Sequence, residues 1–173
     1  MPETIKRDQQ FPKIKYSGIF DWEELHSLLY NFFDEKKFDY FEEKNNKKLV
    51  TYGYERDFIA HAEREETGYT RHDIDVQVRV FHAEDVEIIV DGEKKKKTKA
   101  GLVVIDIKPS IKLDWQDKWD SGMKKKAASF FHKYIITGFI LEQLDKVYYE
   151  AYKLHTEIKN LLEFESKYSA YLK

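Results

Sequence analysis

The sequence predicts an α+β fold: a curved antiparallel meander sheet with an N-terminal helix and one or two long C-terminal helices. Three observations carry this reading. Apolar residues recur at helical spacing near the start, alternate with period two through the middle, and return to helical spacing at the end.

Residues 1–11 are polar and read as lying outside any regular element, and "KIKYS" (Lys13 to Ser17) alternates as a short strand. In "GIFDWEELHSLLYNFF", Asp21 is a candidate N-cap with Glu24 three residues on, the spacing of a capping box. Trp22, Leu25, Leu29, Phe32 and Phe33 give that helix one apolar face. From Phe38 the period is two. "DYFEEK" reads as a strand and "NNKK" (Asn45 to Lys48) as a turn. Val50, Tyr52, Tyr54, Arg56, Phe58, Ala60 and Ala62 then share a face, and so do Ile74, Val76, Val78 and Val80, with polar residues between. "DVEIIV", the turn signal "DG" and "EKKKKTK" read as a hairpin returning along an edge, where lysines guard against aggregation. "AG" (Ala100, Gly101) reads as another turn. Val103, Ile105, Ile107, Ile111, Leu113 and Trp115 keep phase through Pro109 as one long strand.

Residues from 123 to about 165 read as helical, with Ser121 as a cap and Gly138 as a point where the helix can split. Within it Ile140, Leu144, Val147, Ala151, Leu154, Ile158 and Leu161 step by alternating fours and threes, a heptad seam. The expected organisation is a sheet domain over 1–120 and a helical region over 121–173, partly packed on the sheet. If the helix runs unbroken, its second half overhangs, and the seam becomes a surface for self-association.

The 173 residues carry a net charge of −2, from 30 basic and 32 acidic side chains, so no global field draws in nucleic acid or an anionic membrane. There is no cysteine, which excludes disulfides, thiolate nucleophiles and cysteine metal sites. The start lacks the apolar segment of a signal peptide, and no apolar run is long enough for a spanning helix, so the expected setting is the cytoplasm or a virion, without a membrane.

The residues offer four chemistries. Asp91, Asp106 and Lys108 have the spacing of the acid and acid-x-Lys of PD-(D/E)xK nucleases; that resemblance implies two carboxylates holding Mg²⁺, with Glu24 as a third acid. However, Asp106 and Lys108 also read as the wet face of an alternating strand. Nucleic-acid binding would use Lys94 to Lys97 and Lys124 to Lys126, but acids interrupt every other stretch. The histidines His26, His61, His72, His82, His132 and His155 show no metal-ligand spacing, so no metal and no cofactor are expected. A curved sheet closed by a long helix resembles the helix-grip architecture of START-like proteins, which implies an apolar pocket lined by Tyr52, Tyr54, Phe58, Trp115 and Phe130.

"YSGIFDWEELHSLLYNFF", "VEIIVDGEKKKKTKAGLVVIDI" and "FFHKYI" give the chain a resemblance to small α+β proteins of archaeal and phage genomes. The resemblance implies no activity and favours a particle or assembly component. The expected function is therefore a non-enzymatic structural or interaction protein, self-associating through the seam and partnered by itself or another structural protein. The apolar-ligand module and the nuclease are the alternatives.

Overall fold

The chain runs β1 (Glu3–Ile5), β2 (Ile14–Phe20), α1 (Trp22–Glu35), β3 (Asp39–Val50), β4 (Gly53–Glu65), β5 (Thr70–Val90), β6 (Glu93–Leu113) and α2 (Thr137–Ala170). This computed structural model describes residues 3–8, 10–90, 92–116 and 137–170. The expected helix start at residue 123, the Ser121 cap and the second lysine run lie outside them. The sheet is open and antiparallel, in the order β3, β4, β5, β6, and the class is α+β. On the far side of β6, β2 pairs with residues 98–105 and β1 with 111–113.

Local chemistry sets the ends of α1. The Asp21 carboxylate accepts from the backbone N–H of Glu23 at 2.9 Å and of Glu24 at 3.2 Å, satisfying two of the helix's orphan donors. At the other end Lys37 takes φ +58, Phe38 N–H donates to the Phe33 carbonyl, and Lys37 N–H donates to Asp34. This is a Schellman cap, and the Phe33 and Phe38 rings meet across it at 5.6 Å.

Three bulges shape the sheet. Phe81 and His82 of β5 together oppose Glu55 of β4, and Gly101 and Leu102 of β6 together oppose Ser17 of β2. These two lie side by side, because Phe81 pairs with Leu102. A bulge inverts which parity faces inward. The apolar residues facing the helices are even in β5 from Ile74 to Val80, then Ala83; in β6 they are odd from Leu113 down to Val103, then Ala100, with Thr98 after it. "AG" is therefore not a turn but the interior of one 21-residue strand. The third bulge, at Glu43 of β3, opposes the Ala60–Ile59 step of β4.

Two further expectations are corrected. "NNKK" lies inside β3, and the turn is Thr51–Tyr52. Gly53 follows it at φ +97, where a Cβ would fall 2.1 Å from the Ala83 carbonyl oxygen, so only glycine fits. Residues 3–5, read as irregular, form β1, held by β6 rather than by any pattern of their own.

Both helices lie on the face formed by Ile74, Val76 and Val78 of β5 and Ile105 and Ile107 of β6, in one core. The heptad seam is used here. Ile140, Leu144, Val147, Ala151, Leu154 and Ile158 are buried in that core, and the next inward residue is Leu162, with Leu161 only half-buried. That last step of four is the drift of a 3.6-residue helix away from a strict heptad. A coiled coil with a second copy would have to draw these side chains out of their own core. No helix among the described residues is long and apolar enough to cross a membrane.

Candidate functional site

Three residues of the nuclease set, Asp106, Lys108 and Glu24, are among the described residues, and they stand apart. Asp91 lies outside the described residues. Asp106 is buried on the outer face of the sheet, where Lys13 pairs with it at 3.0 Å, and Lys108 is exposed. Glu24 stands on α1, across the sheet from Asp106. Of the pocket residues, Tyr54 and Phe58 are core side chains and Tyr52 is exposed at the β3–β4 turn, while Phe130 lies outside the described residues.

The outer face holds a network of charges that crosses three strands. His61 of β4 faces Asp75 of β5, and Glu63 faces Asp73. His61 Nδ1 lies 2.6 Å from Asp75 and its Nε2 lies 3.2 Å from Glu63. Arg71 reaches Glu63 at 2.7 Å and Asp73 at 2.9 Å, and Lys112 reaches Asp73 at 3.0 Å. The hydrogen bond to Asp75, with further help from Glu63 and against some desolvation, holds the His61 pKa above 6.5. His61, Glu63 and Asp73 bring ligand atoms within 4.8 Å of one another, a spacing that suits one cation. Arg71 and Lys112 already neutralise the two carboxylates, so the cluster is complete as an ion-pair network. Its sequence signal is H-x-E on one strand and D-x-D on the next; only the register shows that the two motifs face each other.

On the opposite face, the buried end of the sheet carries a second polar group. Arg64 donates to Glu66 at 2.8 Å, to Glu150 at 3.1 Å and to the Lys36 carbonyl at 2.9 Å, and its guanidinium lies 4.5 Å over the Phe38 ring. His72, fully buried beside it, meets Gln143 at 3.1 Å. Burial pushes its pKa down, with Glu66 acting against the shift. This group ties α1, the β4–β5 connection and α2 together, and is structural.

The lysine run is also paired. Beyond Ala83 and Thr98 the β5–β6 hairpin continues as a two-stranded arm. There Lys96 meets Asp85 at 3.3 Å and Lys94 meets Glu87 at 4.0 Å, so the arm is a mixed-charge ribbon.

A further unpaired surface is the edge of the sheet at β3. Among the described residues no strand pairs with its outer side along 12 residues. Phe41 is 52% exposed and Leu49 is 81% exposed, and Tyr30 of α1 is exposed near the start of the strand, 6.0 Å from the Tyr40 ring. Sequence reading missed this edge because it placed a turn in the middle of the strand. Compared with protein-family models, curated proteins and solved structures, the chain matches none.

Proposed function

We propose that this is a non-enzymatic structural or interaction protein that works by associating with itself. The observation that supports it is the β3 edge, which among the described residues is a long row of unpaired backbone groups with large apolar side chains left in water beside it. Such an edge is a template for another chain. A repeating component of a phage or virus particle is a setting that suits such a building block. Sedimentation of the full chain at increasing concentration tests the reading, with Mg²⁺-dependent cleavage of DNA and RNA assayed alongside. Concentration-dependent association without cleavage is expected. A chain that stays monomeric at tens of micromolar and cuts nucleic acid would overturn it.

A further inference from the structure

We infer that two copies join β3 to β3 in antiparallel fashion, about a two-fold axis at Asn45, to make one continuous sheet. The inference rests on the self-association reading and specifies its surface.

The argument is the self-complementarity of "DYFEEKNNKKLV". Its first half carries Asp39, Glu42 and Glu43; its second carries Lys44, Lys47 and Lys48. An antiparallel two-fold sets the acidic half of each copy against the basic half of the other. With the axis at Asn45, Lys44 faces Asn46. The Glu43 bulge then shifts the register by one, so Glu42 and Glu43 together face Lys47, Phe41 faces Lys48 and Tyr40 faces Leu49. The faces agree. Paired residues must project to the same side of the sheet, and β3's pairing with β4 puts Tyr40, Glu42, Asn45, Lys47 and Leu49 on the helix side and Phe41, Lys44, Asn46 and Lys48 on the outer side.

The same pattern discourages the alternatives. A parallel in-register pairing stacks acid on acid and lysine on lysine. An antiparallel axis at Asn46 sets Lys44 against Lys48. Lysines and a bulge normally blunt an edge; here the split of charge lets the edge accept one register and refuse others.

The chain has no cysteine, so a single Cys at the axis gives a clean test. Directly opposed residues in an antiparallel pair have Cα atoms about 4.5–5.5 Å apart, within the range a disulfide spans. Asn45→Cys should cross-link into a covalent dimer under mild oxidation, whereas Lys94→Cys on the arm should not. Glu43→Lys, which touches no ion pair among the described residues, should weaken the dimer about tenfold, because each change acts twice across the axis. Lys47→Glu should do the same, and an equimolar mixture of the two variants should recover wild-type affinity. Thermal melting of each variant separates loss of the dimer from loss of the fold. A wild-type dimer that Asn45→Cys does not cross-link and Glu43→Lys does not weaken would overturn the β3 interface and leave self-association standing. A wild-type chain that is monomeric throughout would overturn both.

Discussion

The two edges of the sheet are finished differently. Along β6, two short strands share the border, and the segment between them carries Phe11 into the core, 4.6 Å from the Tyr152 ring and 6.0 Å from Tyr148. Along β3, Phe41 and Leu49 point into water. The same residue type, phenylalanine, thus holds the fold together at one edge and stands in water at the other. Strand order rather than composition separates the two.

The largest expected effect breaks the closed edge. Phe11→Ala should destabilise the chain by about 3–5 kcal/mol, the usual cost of removing a buried aromatic ring. Phe41→Ala at the open edge should change the stability of the monomer by no more than about 0.5 kcal/mol. Urea unfolding of both at low protein concentration measures the contrast; equal losses would erase it.

A similar contrast crosses the sheet, between two histidines on opposite faces. The His61 pKa is raised, so its contribution is fully present below 6.5 and is lost as the pH rises through the folded value. The His72 pKa is lowered, so stability falls as the pH drops from 6.5 through the folded value. Unfolding midpoints between pH 5 and pH 8 should therefore show His61→Gln losing most against the wild type on the acid side of that window and least on the alkaline side. A deficit that does not change with pH would mean that His61 acts by packing alone.

A small effect, and one of opposite sign, belongs to Tyr40. Its hydroxyl is buried and, among the described residues, has no hydrogen-bond partner. Tyr40→Phe removes that unmet group and should leave stability unchanged or raise it by up to about 1 kcal/mol. A clear loss in thermal melting would reveal a partner for the hydroxyl.

Where local chemistry decides the structure, the sequence was legible. Asp21 caps α1 as its position suggests, and the alternation of Ile74 to Val80 and of Val103 to Leu113 marks the central strands. Longer-range facts were hidden. The bulges at His82 and Gly101 reverse the alternation, so two continuous strands read as four pieces. Val50, Tyr52 and Tyr54 keep phase straight through a real turn, which disguised it and displaced the reading to Asn45–Lys48. The seam of α2 announced an apolar stripe but not its partner, because a heptad and an amphipathic surface helix diverge by only about 20° per seven residues. The candidate interface needed both strand order and register, and neither is written in local spacing.

The central claim is that β3 is left open for a second copy. Hydrogen–deuterium exchange of the full chain, compared between dilute and tens-of-micromolar protein, tests it most directly. If two copies join there, the β3 amides between Tyr40 and Val50 that point away from β4 gain protection as the concentration rises, while those of the β5–β6 arm and of α2 do not change. Association with unchanged β3 exchange, or with new protection confined to α2, would contradict it.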